Sequence, residues 1–273
     1  MFKENIDAIP EERQDFNAKE QNLHFVSKDA GIHGGEGLEN ARMANRDVAM
    51  SRLDQLLGAG VIAHSESMIY NMGGGMQATG VLSAAANGTE AGKLGNDDKY
   101  AKTAQESGNG KVNINDPSLQ RLLSRLQLID NIAFQVDRQN SNYYLEFDDA
   151  GKVTGLTGID NDMALGKNTD LNDPDAMKFS QYPGVSLLVD KQLAEKIISL
   201  DTEILAIVMG DLLSPAEITA LVSRVNKLKT HLAILQNSNQ LLEPHQWNNN
   251  TANALRTEEK GYYAVLTNRV LNM

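Results

Sequence analysis

The stretch that begins at Asp116 constrains the fold of this chain most, because it combines a helix start signal with a strong helical period. Asp116 supplies an N-cap, and Pro117 suits the first helical position because an N–H there would have no helical partner. The sequence therefore predicts an amphipathic helix with one buried face, which leads directly into a polar loop. Its apolar stripe consists of Leu119, Leu122, Leu123, Leu126, Ile129 and Ile132.

The polar loop that follows, residues 137–142, reads DRQNSN and places an acid, a cation and an amide together. Two short segments, Tyr143–Phe147 and Val153–Ile159, flank the turn sequence DDAG and predict a β-hairpin. Such a hairpin would return Asp160 to the start of the loop. Acidic groups brought together in this way repel one another unless a metal ion lies between them.

The remaining periodicity predicts a mixed α+β chain without internal repeats. Residues 87–115 are rich in Gly, Asn, Asp and Lys and are predicted as loop. Helical spacing and a Ser214–Glu217 capping box predict further helices. These helices cover 45–57, 189–200 and a segment from 214 onwards. The predicted strands cover 23–28, 61–70 and 77–86, with a glycine turn at 73–75.

Composition limits the classes of partner. The net charge of −11 argues against nucleic acid or an anionic membrane surface as the main partner. The absence of cysteine excludes disulfides and thiolate chemistry, and it fits either a reducing cytosol or export through an unfolded state. No apolar run approaches the roughly 18 residues of a membrane span. We therefore expect a soluble chain with no integral membrane segment.

The pattern D-R-x-x-x-N, then a hairpin, then I-D resembles the catalytic and metal-binding loops of phosphoinositide-kinase-like and actin-fragmin-kinase-like enzymes. In this sequence it is carried by Asp137-Arg138, Asn142 and Ile159-Asp160, and the resemblance extends over residues 119–166. The same layout occurs in kinase-like effectors secreted by bacterial pathogens, where the second motif resembles G-I-D-N-D. The resemblance implies an α+β, two-lobed protein-kinase-like fold, with a small mixed N-lobe and a mainly helical C-lobe.

The resemblance also implies roles for individual residues in the transfer of the ATP γ-phosphate to a hydroxyl group. Asp137 would be the catalytic acid that orients or deprotonates the hydroxyl. Asn142 and Asp160 would hold Mg²⁺ (or Mn²⁺), with Asp162 as a second metal ligand. Lys28, at the end of the predicted strand LHFVSK, would contact the nucleotide phosphates.

Other features of the N-terminal half are assigned by the same resemblance. Glu36 or Glu39 would pair with the phosphate-binding lysine, and residues 81–86 would form the hinge that holds adenine. Two departures weaken the match to lipid kinases: Gln139 replaces their usual His, and Asn161-Asp162 replaces Phe-Gly. A glycine-rich phosphate loop is also not visible ahead of the predicted strand. Three alternatives stay open: a pseudokinase acting as a binding module, a kinase fold that transfers AMP, and an α+β domain with accidental motif matches.

These interpretations divide the chain into five parts. We expect a flexible leader (1–20), a kinase-like N-lobe (21–90), an inter-lobe loop (91–115), a kinase-like C-lobe (116–240) and a C-terminal extension (241–273). The expected partners are a nucleotide, a protein or phosphoinositide acceptor of unknown identity, and a host activator. For an effector of this kind we expect the bacterial cytoplasm before export and the host cell afterwards.

Overall fold

The structure is a computed structural model that describes residues 2–4, 43–94, 113–169 and 184–271. Its mixed helices and small sheets confirm the predicted α+β class. The helices in these ranges are α1 (Met43–Leu57), α2 (Pro117–Ala133), α3 (Lys191–Ser199), α4 (Thr202–Met209), α5 (Pro215–Asn237), α6 (Asn249–Leu255) and α7 (Tyr262–Leu271). The strands are β1 (Phe2–Glu4), β2 (Ser65–Gly73), β3 (Met76–Ser83), β4 (Thr89–Glu90), β5 (Tyr143–Phe147), β6 (Val153–Gly158), β7 (Val189–Asp190) and β8 (Leu241–Leu242).

The first sheet has the order β1-β3-β2, with antiparallel pairing throughout. Gly73–Gly75 turns the chain between β2 and β3, and all three glycines have positive φ angles that a side chain would disfavour. Helix α1 packs against both β2 and β3. The predicted helix and glycine turn are thus confirmed, although β3 ends at Ser83 rather than at Ala86.

Helix α2 runs through the core as the sequence predicts. Asp116 caps it, since Oδ1 accepts the Ser118 N–H at 2.7 Å. The other carboxylate oxygen, Oδ2, accepts the Val153 N–H at 2.9 Å and ties the helix start to β6. Leu119, Leu126 and the other predicted stripe residues except the half-buried Leu122 are at most 1% exposed.

The predicted hairpin of β5 and β6 is confirmed, and β4 extends it into a sheet of order β4-β5-β6. Thr89 and Glu90 pair with Leu145 and Tyr144, and a short 3-10 turn follows at Ala91–Lys93. The expectation of loop at these positions is therefore wrong. The composition of this segment favours loop, but pairing with a strand more than 50 residues away in sequence determines its backbone conformation.

The C-terminal helices complete the core. The strands β7 and β8 pair in parallel, and Asp190 accepts the Leu193 N–H at 2.9 Å as the N-cap of α3. For this reason α3 begins at Lys191 and not at the predicted Val189. The capping box of Ser214 and Glu217 at the start of α5 is confirmed. Helices α5 and α7 both pack against α2. None of the described helices has the length and apolarity to cross a membrane.

Candidate functional site

The loop after α2 is shaped by its own side chains. The helix ends in the left-handed residue Phe134, whose φ is 53°. The Asn142 side chain then donates from Nδ2 to the Asp137 carbonyl oxygen at 2.7 Å, which closes the loop on itself. Residues 140–142 form a 3-10 turn that leads into β5. These contacts fix the predicted acid and the predicted amide of the loop relative to one another.

Arg138 holds this loop against the end of the hairpin. Its guanidinium is fully buried and contacts both carboxylate oxygens of Asp130, at 2.8 and 3.1 Å. It also donates to the carbonyl oxygens of Asn142 at 2.9 Å and Ile159 at 2.6 Å, and to Oδ1 of Asn161 at 2.6 Å. Arg138 therefore braces the loop through the Asp130 carboxylate and three acceptor oxygens of the loop and hairpin end.

The buried carboxylate of Asp130 has a second support from the C-terminal helix. The Tyr262 hydroxyl donates to Asp130 Oδ2 at 2.8 Å. Tyr262 begins α7 and is 4% exposed. The arginine that organises the loop is therefore held by a carboxylate that is itself fixed by a residue far along the chain.

The segment that starts at Asp160 has an unusual backbone. Asp160 is solvent-exposed and adopts a left-handed conformation with φ of 54°, which is uncommon for a residue other than glycine. Its carbonyl oxygen accepts the Gln135 Nε2 at 3.3 Å, and the following N–H, of Asn161, donates to Asp47 Oδ1 at 2.8 Å. Farther on, Arg46 donates to the Ala164 carbonyl oxygen at 2.8 Å. Helix α1 and the loop therefore hold this conformation from both sides.

The carboxyl group of Asp137 is influenced by two other carboxylates. Burial, together with the negative charges of Asp160 and Asp162, raises the pKa of Asp137 to about 6, while Arg138 opposes the increase. Asp160 and Asp162 therefore lie within electrostatic range of Asp137. Within the described part of the chain, no three acidic or histidine side chains form a ready metal-chelating group. A cation here would thus need the amide of Asn142 and oxygens from a ligand.

A cavity of about 460 Å³ opens beside these residues. Its lining includes the polar side chains of Asp47, Asn142, Asp160 and Asn161. The segment Ser83–Ala86, with Ala63 and Ser65, contributes small side chains, and Tyr144 and Ile159 also line the cavity. The cavity can therefore offer both charged and small apolar groups to one ligand.

The structure brings most of the predicted site residues together. Asn142 and Asp160 line the cavity, Asp137 lies within electrostatic reach of Asp160, and the buried Asp162 also acts on Asp137. Four residues of the predicted hinge, 83–86, lie on the cavity wall. Lys28 lies outside the described residues, and so do the acids predicted to pair with it, Glu36 and Glu39.

Two site residues were missed by the sequence analysis. Asp47 lies within α1 and is 4% exposed, and Gln135 is fully buried directly before the loop. The sequence did contain a signal for Asp47, because the charged pair Arg46-Asp47 lies at the start of a helix that otherwise forms core. Charged residues that are buried usually have partners. Comparison with known proteins adds no assignment, since no family model and no curated protein matches the chain. The functional inference rests on the cavity and the residues around it.

Proposed function

We propose that this chain is an ATP- and magnesium-dependent kinase that transfers the γ-phosphate to a protein or lipid hydroxyl. One observation carries the proposal: Asn142, Asp160 and the Ser83–Ala86 segment all line a single cavity. These are the predicted metal ligands and the predicted adenine hinge. They are separated by more than 50 residues in sequence, and a kinase fold would bring them to the same cavity.

The size and polarity of the cavity fit a nucleotide. Cavities that hold small molecules measure roughly 300–1,000 Å³, and this one is about 460 Å³. The carboxylate of Asp160 would repel a bare polyphosphate, so a divalent cation has to lie between them. Kinases hold their Mg²⁺ ions with one Asp and one Asn, and the phosphates and waters supply the other ligands. Asn142 and Asp160 provide that pair, with Asp162 as a second acid.

Asp137 is suited to act on the acceptor hydroxyl. Its pKa of about 6 leaves it mostly ionised at neutral pH and more basic than an ordinary carboxylate. In its ionised form it would orient the hydroxyl and accept its proton as the phosphoryl group is transferred. Mn²⁺ could replace Mg²⁺ at the same oxygen ligands. Lys28 is proposed to contact the phosphates on the strength of the sequence alone.

The proposed architecture is two-lobed. The strands β2 and β3 and the helix α1 would belong to the small lobe (21–90), and α2 to α5 to the helical lobe (116–240); β1, which pairs with β3, comes from the segment 1–20. The cavity lies where residues of both parts meet, because Asp47 and Ser83 come from the first and Asn142 from the second. Secretion as a bacterial effector and dependence on a host activator belong to the same proposal and are supported by the sequence resemblance alone.

Thermal unfolding with ATP and Mg²⁺ tests the proposal without knowledge of the acceptor. Ligand at about 100 times its dissociation constant adds roughly 2.7 kcal/mol to the free energy of unfolding. In a domain of this size, where 1 kcal/mol corresponds to about 2–4 °C, that raises the midpoint by roughly 5–10 °C. The increase should require Mg²⁺ and should be absent in Asp160→Ala. As a matched control, Asp149→Ala removes an exposed acid from the hairpin turn and should retain the full increase.

The alternatives give different results. A chain whose midpoint is unchanged by ATP and Mg²⁺ would contradict a nucleotide site that is formed in the isolated chain and favour a binding module of the pseudokinase type. A midpoint that rises equally in Asp160→Ala would remove Asp160 from the metal site. If ATP binds, the mass added to a labelled product distinguishes phosphoryl transfer from AMP transfer.

A further inference from the structure

The residues that line the cavity fall into two groups that differ in the size of their side chains. The metal and phosphates of the proposed function belong beside Asn142 and Asp160, so the nucleotide base belongs against the small lining residues, which form the base end of the site in this proposal. Among the described side chains, those contributed there are small and belong to Ala63, Ser65, Ser83, Ala84, Ala85 and Ala86.

We propose that this site is permissive at the 6-position of a purine, so that GTP and ATP analogues enlarged at N6 bind nearly as well as ATP. The inference rests on the proposed nucleotide function and specifies its substrate. It differs from that function because a nucleotide site with larger side chains at this end would bind ATP and reject both alternatives.

The backbone at the base end offers hydrogen-bonding groups of both kinds. The Ala84 N–H donates to the His64 carbonyl oxygen at 2.8 Å and anchors the segment. Among the described residues, none forms a hydrogen bond with the backbone groups of Ala85 or Ala86. The N–H groups and carbonyl oxygens there can meet the donor and acceptor of adenine or the reversed pair of guanine.

The serine pair adds the same versatility. The hydroxyls of Ser65 and Ser83 lie 2.8 Å apart, and either can be the donor. A serine hydroxyl rotates to donate to a 6-oxo group or to accept from a 6-amino group. A fixed donor or acceptor would instead reject the wrong partner by about 10⁴–10⁵-fold. Adaptable hydroxyls therefore lower the selectivity between the two purines.

The wall also leaves room for a larger base. Ala84 and Ala85 are exposed and Ser83 is half-buried, so a substituent on N6 would displace solvent rather than core side chains. The aromatic ring of Tyr144 lines the same cavity and offers an apolar contact to an added aromatic group. The cost of accommodating such a group is therefore small.

Calorimetric titration of the full chain with ATP, GTP and N6-benzyl-ATP, each with Mg²⁺, tests the inference. GTP and N6-benzyl-ATP should bind within about tenfold of ATP, the range for pockets without fixed polar groups. Ser83→Leu should weaken N6-benzyl-ATP about tenfold or more relative to ATP, because the leucine fills the space beside the base. As a control, Thr79→Leu makes the same kind of change at an exposed position of β3 outside the cavity and should leave the ratios unchanged.

The outcomes separate this inference from the proposed function. If ATP binds but both alternatives bind more than about 100-fold weaker, the permissive site is overturned and the kinase proposal stands. If no nucleotide binds, both are overturned. An equal loss for all three nucleotides in Ser83→Leu would place Ser83 away from the 6-position and overturn its assignment. The wild-type comparison decides the main question even if Ser83→Leu does not fold.

Discussion

The backbones of Asp137 and Asp160 are joined by one side chain. Gln135 accepts the Asp137 N–H at Oε1, at 2.9 Å, and donates from Nε2 to the Asp160 carbonyl oxygen at 3.3 Å. The amide is fully buried, so it has no water to replace these partners. The proposed catalytic acid and the proposed metal ligand are therefore positioned by a common group, although 23 residues separate them in sequence.

Gln135→Leu should weaken metal-dependent nucleotide binding more than a general loss of stability explains. Removing a group that orients a metal ligand lowers metal affinity or activity by about 10–100-fold. Leaving the two backbone groups unpaired should also lower the free energy of unfolding by about 1–3 kcal/mol. Titration with Mg²⁺ at fixed ATP, below the unfolding midpoint of the variant, measures the first effect.

Gln120→Leu provides the control for Gln135. Gln120 is equally buried and donates to the carbonyl oxygens of Asn115 and Asn248, away from the cavity. It should lose similar stability and keep its Mg²⁺ dependence. Equal Mg²⁺ affinities in the two variants would show that Gln135 is only a structural residue.

Asp137→Asn should stabilise the protein at neutral pH. The folded-state pKa of about 6 is above the ordinary value of 3.8 for an aspartate, so the folded state binds the proton more tightly. The associated stability is present below about pH 4 and is lost as the pH rises through about 6. The amide should therefore gain about 1–2 kcal/mol at pH 7, after allowance for partial exposure, and nothing at pH 3.5. Urea unfolding across this range, with Asp149→Asn as the control, measures the difference.

The same pKa predicts the pH dependence of the proposed activity. The rate of the magnesium-dependent reaction should rise with pH, because ionised Asp137 is the form that accepts a proton. Its midpoint should lie somewhat below the pKa of about 6 of the metal-free protein, because bound Mg²⁺ offsets the charge of Asp160. A rate that is flat between pH 5 and 8 would contradict Asp137 as the base.

Arg138→Met should be severely destabilising. The Arg138–Asp130 pair is completely buried, and removing the cation leaves a buried carboxylate without its charge partner. Such changes cost about 3–5 kcal/mol. Arg52→Met is the matched control, because both side chains of the Arg52–Asp211 pair are partly exposed and the change should cost about 0–1 kcal/mol. Chemical unfolding of both variants compares them directly, and similar losses would contradict the proposed role of burial.

Leu126→Ala should reduce the free energy of unfolding by about 2–5 kcal/mol, since it deletes a fully buried side chain from α2. Leu126 also packs close to Gly158, at the end of β6 that leads to the proposed metal ligand Asp160. Leu56→Ala, at a position 37% exposed, should cost about 1 kcal/mol or less. Denaturant midpoints measured at constant slope provide the comparison.

The parts of the site that follow local rules were predictable from the sequence. Each of these rules depends on residues close in sequence to the element they determine: the cap at Asp116, the helical period of α2 and the turn at 148–151. Together these elements place residues 137–142 beside Asp160. The contact of Asp47 with the Asn161 N–H joins residues 114 apart. Similarly, the pairing of Thr89 with Leu145 depends on a sheet edge that no local pattern reveals. Long-range contacts of this kind depend on the whole fold.

The hydrogen bond from Tyr262 to Asp130 has a practical consequence for work with shortened forms of this protein. A boundary at residue 240, which the motif pattern alone would suggest, removes the hydroxyl that orients Asp130 and the helix that covers it. Such a fragment would retain every residue of the two motifs and yet lack a partner of the carboxylate behind them. Loss of activity in that fragment would therefore reflect the missing support of Asp130 by Tyr262, and it would carry no information about the chemistry of the motifs.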